Sequence, residues 1–330
     1  MPFVFLFLVT FSLTVTLTAL LVRLLLPLLR RYHVGQRILE IGPAWHRTKE
    51  GTPTMGGLAF MIASCLALTV GGALLSGTLP ILFWRPLLLT GLYAVANAAV
   101  GGIDDLTKFR KSRNEGLTPT QKLVLQIAFS AAYIALLRLY GYIDTSLYIP
   151  YLNTVLELGY FYDIIAILLA VGFVNFVNLS DGVDGLASST SLVLASFFAA
   201  AAAYLGESPA LLLAATMMGA SLGFLFFNRH PAKLFMGDTG SLFLGGMAVG
   251  CGFLLSNPLL LFVAGGVFVL EGASVILQVA WFKATGKRLF LMAPFHHHLE
   301  KRGFSENRIV LLFVFLGILA ALLAIPGLGG

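Results

Sequence analysis

Residues 3–29 read Phe3-Val-Phe-Leu-Phe-Leu-Val-Thr-Phe-Ser-Leu-Thr-Val-Thr-Leu-Thr-Ala-Leu-Leu-Val-Arg23-Leu-Leu-Leu-Pro27-Leu-Leu29, with one charge in the whole run. About 20 apolar residues cross the hydrocarbon core of a bilayer, so this stretch is a membrane span. Nine further windows of the same kind follow, at about 55–76, 83–103, 120–140, 159–179, 186–205, 209–228, 240–256, 258–282 and 308–326. Ten spans consume about 200 of the 330 residues. No connection is long enough for a separate soluble domain, so any active site must sit on loops and helix ends. The expected fold is an all-α polytopic membrane protein of about ten transmembrane helices, with residues 1–330 forming a single integral-membrane domain.

Composition agrees. Hydrophobic residues make up 58% of the chain and charged residues 11%, with a mean hydropathy of +0.91. Ordinary globular domains carry roughly 25% charged residues, so a water-facing surface cannot be built here. Disorder, a collagen-like fibre and a disulfide scaffold are excluded too. Cys65 and Cys251 both lie in apolar stretches and read as small core residues. In the connection 141–158, Tyr142, Ile143, Leu147, Tyr148 and Ile149 favour strands and predict a small extended hairpin.

Lysine and arginine counts set the orientation. Connections 30–51, 104–122, 228–238 and 283–308 hold five, five, two and six of them, 18 of the 21 in the chain. The opposite connections hold only Arg85. The basic loops are therefore expected at the cytoplasmic face, with both termini on the outer side. Met1-Pro2-Phe3 lacks a positive n-region, so the first span reads as an anchor and not as a cleaved signal. The net charge of +6 calls for no nucleic-acid partner. Anionic membrane lipids and an anionic substrate account for it.

All six histidines and five of the seven aspartates fall in the segments expected at the cytoplasmic face. A transporter would place ionisable groups near the bilayer midplane. Glu271, with Gly265-Gly266 and Gly272 around it, is the only acidic residue deep in a span, and no internal repeat is found. A transporter or lipid flippase is therefore the weaker reading. The chemistry belongs at the cytoplasmic membrane surface.

Four clusters carry it. The first is Asp104-Asp105-Leu-Thr-Lys108 at the end of the third span. Two adjacent carboxylates stay ionised only beside a cation, and Lys108 shares the helical face of Asp104. A solvated helix end would look the same. The second, Asn175-Phe-Val-Asn178-Leu-Ser-Asp181-Gly-Val-Asp184-Gly185, sets two asparagines on one helix face and two aspartates in a glycine turn. A turn and helix cap explain one aspartate but not all four groups.

The third cluster, Asn228-Arg-His-Pro-Ala-Lys-Leu-Phe235-Met-Gly-Asp238-Thr-Gly-Ser241, ends where a helix begins. Asp238 could be only a helix cap. It could also hold Mg²⁺, which takes one or two carboxylates together with substrate phosphates. Phe235 could stack on a nucleobase or simply be a buried loop aromatic. The fourth is Pro294-Phe-His296-His297-His298-Leu-Glu300. Consecutive helical residues point about 100° apart, so three histidines on one ion are disfavoured, and pairing with a diphosphate is the better reading.

Together with His46-Arg-Thr-Lys49-Glu-Gly-Thr-Pro-Thr54-Met-Gly-Gly57, in this order and between these spans, the clusters resemble the polyprenyl-phosphate phosphosugar transferases. The contiguous histidines and the 52–57 stretch resemble the muramoyl-pentapeptide branch more closely than the branch using UDP-N-acetylglucosamine. That resemblance implies a Mg²⁺-dependent multi-pass enzyme of the bacterial cytoplasmic (inner) membrane, a homodimer with a cytoplasmic active site. It would move phospho-N-acetylmuramoyl-pentapeptide from UDP to undecaprenyl phosphate and release UMP. It further implies Asp238 as the Mg²⁺ ligand, with Asp104 and Asp105 at the lipid-phosphate side, one of them a base. Lys108 and Lys122 would neutralise phosphate charge. Lys49, Asp184, Asn228 and Phe235 would line a uridine pocket, with Thr54, Asn175, Asn178 and Asp181 nearby. His296, His297 and His298 would flank the diphosphate or the sugar.

Overall fold

The computed structural model of the chain describes residues 2–32, 49, 51–75, 81–111 and 116–328. His46, Arg47, Thr48 and Glu50, part of the first matching stretch, lie outside the described residues, as does most of the basic connection 30–51. Twelve helices run through the described residues: α1 Pro2–Arg31, α2 Gly57–Leu75, α3 Ile81–Lys111, α4 Pro119–Leu139, α5 Phe161–Leu179, α6 Leu186–Leu205, α7 Ser208–Asn228, α8 Gly237–Leu254, α9 Pro258–Ala264, α10 Gly266–Thr285, α11 Phe295–Lys301 and α12 Glu306–Ala324. A 3-10 turn, Ile325–Leu328, follows.

Among the described residues, eight helices are long and apolar enough to cross a membrane. The windows at 55–76 and 240–256 are taken by α2 and α8, which are not among those eight. The window at 258–282 is two helices, not one. The chain breaks at Gly265, where an added Cβ would come within 2.5 Å of the Phe173 ring and 2.6 Å of the Leu261 carbonyl. The seven residues of α9 are too short to span. The expected hairpin is present: β1 Ser146–Ile149 pairs antiparallel with β2 Thr154–Glu157, Ser146 opposite Glu157.

α8 is the hub. Every residue from Thr239 to Phe253 is buried, which fits a helix enclosed on all sides. It packs against α3, α5, α2 and α7. Small residues permit that approach: a Cβ on Gly246 would lie 2.8 Å from the Ala94 Cα, and one on Gly245 would lie 2.8 Å from the Val174 Cα. α1 and α7 meet in the same way. Thr10, Thr14 and Thr18 form a buried strip one turn apart on α1, facing Gly219 and Gly223 on α7. At the start of α4, Thr118 and Gln121 make a reciprocal capping box and Pro119 occupies the first turn. That cap fixes where Lys122 leaves the helix.

The consequence for function is topological. The end of α3, the start of α4, the end of α5, the start of α6, the end of α7 and the start of α8 all meet at one end of the bundle. The hairpin lies at the other.

Candidate active site

The two carboxylates leaving α3 have different tasks. Asp105 reaches across to the first turn of α8. It accepts hydrogen bonds from the backbone N–H of Asp238 (3.2 Å) and Thr239 (3.0 Å) and from the Thr239 hydroxyl (2.7 Å). Those N–H groups are orphans of the helix start, so Asp105 caps α8 from a different helix. Met236, the local cap position, makes no side-chain cap bond. Asp238 is therefore not the cap that its place in the sequence allows. Gly237 at φ +70° gives Asp105 its room, since a Cβ there would sit 2.6 Å from Asp105 Oδ2.

Asp104 accepts from the Leu117 N–H at 2.6 Å and pairs with Lys108 at 2.6 Å, the i,i+4 partner expected from spacing. Gly116 leaves space for it. Asp238 then receives Lys122 at 2.9 Å and Lys108 at 3.3 Å on Oδ2, and Asn178 Nδ2 at 3.0 Å on Oδ1. Asn178 also donates to Ser241 Oγ at 2.8 Å. Two ammonium groups beside the half-buried Asp238 carboxylate favour its ionised form. Asp104, Asp105 and Asp238 each offer an oxygen, all within 4.8 Å of one another, close enough for one metal ion. Asn175 sits a turn further back and donates to Gln126 Oε1 of α4 at 2.8 Å.

A second node lies beside the first. Lys49 Nζ bonds both Asp184 Oδ1 and Glu306 Oε2 at 2.7 Å. Burial alone would lower its pKa, but the bonds to Asp184 and Glu306 outweigh it and hold the ammonium above its ordinary value. Asp184 Oδ2 takes the Ala232 N–H (2.9 Å) and lies 3.1 Å from His230 Nδ1. Asp184, His230 and Glu306 also cluster tightly enough for a metal, yet Lys49 already supplies the cation there. Asp181, half-buried in the same turn, is pushed well above the ordinary carboxylate range by desolvation and then by the charges of Asp238 and Asp105.

Asn228 is buried, and its side chain is committed internally. Its oxygen accepts from Gly185 N and Ser188 Oγ while its amide donates to Leu234 O. It ties the 185–188 turn to the 234 loop. Phe235 is half-buried, with its backbone paired to the 53–56 segment: Phe235 N donates to Pro53 O and Gly56 N to Phe235 O, both at 2.9 Å. Thr54 lies beside Gly237, where a Cβ would be 3.0 Å from its hydroxyl.

The three histidines diverge. His296 is fully buried, its backbone N–H and ring Nδ1 on Glu271 (3.2 and 3.1 Å) and its Nε2 against Gly182. Glu271, the one deep acidic residue, thus anchors the histidine loop. His297 Nδ1 lies 2.6 Å from Glu300. His298 accepts from Leu291 N and stacks on Phe295, and burial with the nearby Arg302 lowers its pKa. Reading the sequence gave Glu306 and His230 no role. Glu306 follows Ser305 at a helix start, where an acidic residue is ordinary, so only its contact with Lys49 marks it.

A family model described as glycosyl transferase family 4 matches residues 87–256, from α3 through α8. A phospho-N-acetylmuramoyl-pentapeptide-transferase signature matches residues 49–61, the segment that carries Lys49 and pairs with Phe235. The chain is 41% identical over 301 residues to the phospho-N-acetylmuramoyl-pentapeptide-transferase of Listeria monocytogenes serotype 4b, covering 91% of each. It is 43% identical over 300 residues to the proteins of that name from Halalkalibacterium halodurans (91% of this chain, 90% of the relative) and Geobacillus kaustophilus (91% of each). Identity at that level over nine-tenths of both chains shows that the chain belongs to the phospho-N-acetylmuramoyl-pentapeptide-transferase family.

Proposed function

We propose that this membrane transferase moves phospho-N-acetylmuramoyl-pentapeptide from its UDP conjugate to undecaprenyl phosphate, releasing UMP and forming a lipid-linked intermediate of peptidoglycan synthesis. The observation that carries this reading is the convergence of Asp104, Asp105 and Asp238 with Lys108 and Lys122 at one end of the bundle. Phosphoryl transfer asks a protein chiefly for positioning and for cations around phosphates. Three carboxylates within ligand distance, flanked by two ammonium groups, suit a divalent cation bound together with phosphate oxygens. Mg²⁺, held by Asp238 with Asp104 beside it, would supply charge neutralisation on the diphosphate. Asp105, already accepting three hydrogen bonds, positions Asp238 by fixing the start of α8.

In the reaction a lipid-phosphate oxygen bonds to the donor's β-phosphorus while the bond to UMP breaks. A phosphate monoester has its second pKa near 6, so the acceptor is mostly a dianion and needs no base. Both α3 carboxylates are engaged by N–H, O–H or ammonium donors, which favours direct attack over a covalent aspartyl intermediate. Lys108 and Lys122 balance phosphate charge. Lys49, Asp184 and Phe235 serve the uridine end, with Thr54, Asn175, Asn178 and Asp181 around them and Asn228 holding the turn. Of the three diverging histidines, His297 and His298 are assigned to the diphosphate–sugar side, and buried His296 holds their loop through Glu271.

The topology that goes with this is ten crossings with both termini outside and the site at the cytoplasmic face, in a homodimer of the bacterial inner membrane. A cysteine at Lys287 should resist an impermeant thiol reagent in intact cells while one at Ser208 reacts. The central test is UMP release by the purified chain with Mg²⁺ and undecaprenyl phosphate. The muramoyl-pentapeptide donor should support it and UDP-N-acetylglucosamine should not. Radiolabelled UMP entering the donor with lipid phosphate withheld would refute direct attack.

A further inference from the structure

The turn between α5 and α6 carries Asp181 and Asp184, and its own residues do not cap the helix that follows. Gly185 stands at the cap position of α6 at φ +78° and has no side chain to offer. The N–H groups of this turn are satisfied from elsewhere in the chain. Asn228 Oδ1 accepts from Gly185 N at 3.2 Å, and Glu306 Oε2 accepts from Asp184 N at 3.0 Å.

Glu306 opens α12, where an acidic side chain ordinarily does no more than favour the dipole of its own helix. Its contacts here lie across the site. The Oε2 that receives Asp184 N also receives Lys49 Nζ at 2.7 Å, and Oε1 lies 3.6 Å from His230 Nδ1. Lys49 in turn bonds Asp184 Oδ1 at 2.7 Å. Glu306 thus holds Asp184 twice, directly through its backbone and indirectly through Lys49. The side chains of Lys49, Asp184 and Glu306 keep only 14%, 3% and 13% exposure. Bonds so far out of water are worth more than an exposed ion pair. An ammonium group has three N–H donors. Two of those on Lys49 are spent on carboxylates, so Glu306 sets the direction of the third as much as Asp184 does.

We propose that Glu306 is a positioning residue for the nucleotide end of the donor, holding the Lys49 ammonium and the Asp181–Asp184 turn from α12 without touching the nucleotide, an inference that rests on the assignment of Lys49 and Asp184 to the uridine end. Among the described residues its polar contacts go to Lys49, Asp184 and His230, and not to the carboxylates and lysines around Asp238. Its effect therefore falls on binding and not on the phosphoryl step. Without Glu306, Lys49 keeps one carboxylate and Asp184 N loses its acceptor. Both groups must then be ordered when the donor binds, and that cost appears as weaker affinity.

The test uses the purified full chain in detergent, with UMP affinity from isothermal titration calorimetry and KM and kcat from UMP release. Glu306→Ala should weaken UMP binding and raise the donor KM about tenfold, the scale of one charge-assisted hydrogen bond, with kcat within about twofold. Glu306→Gln keeps an oxygen for Lys49 and for Asp184 N but loses the charge, and should bring the loss back to about threefold. Lys49→Met should weaken UMP binding as well, and adding Glu306→Ala to it should cost about threefold or less, because the shared bond is already gone. Asn307→Ala, at the exposed neighbouring position of α12, should change neither constant. Unchanged UMP affinity in Glu306→Ala while Lys49→Met loses it would overturn the role of Glu306 and leave Lys49 at the nucleotide. Unchanged affinity in both, or no UMP binding by the parent chain, would overturn the uridine assignment and the role of Glu306 with it. A fall in kcat at constant KM, the mark of a merely structural loss of active protein, would also overturn it, as would full multiplication of losses in the double variant. Should Glu306→Ala fail to fold, Glu306→Gln decides, and affinity equal to the parent's would overturn the role.

Discussion

Gly101 and Gly102 are neighbours of one residue type, and the structure predicts opposite outcomes for alanine at each. A Cβ on Gly101 would lie 2.2 Å from the Asp238 carbonyl oxygen, 2.3 Å from its carbon and 2.6 Å from Thr239 N, all backbone atoms that no rotamer change can move. Ordinary contact begins near 3.4 Å, so α3 and α8 would have to part by about 1 Å, a shift of the kind that overpacking imposes at about 1–3 kcal/mol. Parting them stretches the bonds of Asp105 to Asp238 N and Thr239 N, now 3.2 and 3.0 Å. It also draws Asp238 away from Lys108. A misplacement of about 1 Å can cost roughly 100-fold in rate. At Gly102 the nearest atom would be Thr239 Oγ1 at 3.6 Å, an ordinary contact, and alanine is the better helix former by up to about 1 kcal/mol. Gly101→Ala should therefore lose about 100-fold in UMP release and unfold at lower temperature, while Gly102→Ala keeps both. Equal activity in the two variants would refute the view that α3–α8 contact positions Asp238.

Asp238→Asn should abolish metal-dependent UMP release without unfolding the chain, because the amide keeps the volume and loses the charge; near-normal turnover would remove Asp238 from the metal. Phe235→Ala should mainly raise KM for the UDP donor, since stacking acts alike in ground and transition states. Asp105→Asn should mainly lower kcat, with a loss of roughly 1 kcal/mol of stability from the weakened cap, and the reverse pattern in steady-state kinetics would exchange the two roles. Asp181 has a folded-state pKa above its unfolded value of about 3.9. Its ionisation therefore weakens folding as pH rises through that interval and continues to do so above it. In metal-free protein, Asp181→Asn should raise Tm by about 2 °C or more at roughly pH 8 and change it little at about pH 4. A gain of the same size at both would show that charge is not its cause.

Much of this molecule is legible in its sequence because the relevant physics is local. A 27-residue run with one charge, Phe3 to Leu29, can only be a span, and eight of the ten windows hold helices able to cross a membrane. The Asp104–Lys108 pair follows from helical spacing alone. The divergence of the three histidines follows from the 100° step. The hairpin at 146–157 follows from strand-favouring side chains.

What the sequence left open depends on which segments pack together. Asp105 and Asp238 both read as site carboxylates, and the place of Asp238 at a helix start also allowed it to be only a cap. Only the α3–α8 contact makes Asp105 the cap and frees Asp238 for Lys108 and Lys122. Glu306 and Lys49 are 257 positions apart, and Glu271 and His296 are 25 apart across a loop. No spacing rule links such pairs. The break between α9 and α10 falls at Gly265, where the Phe173 ring leaves no room for a side chain. Periodicity and composition fix which face of an element avoids water. The partner that each charged side chain meets is set by the approach of helices, and in this chain that approach is allowed or forbidden by a single missing Cβ at Gly101, Gly182 or Gly237.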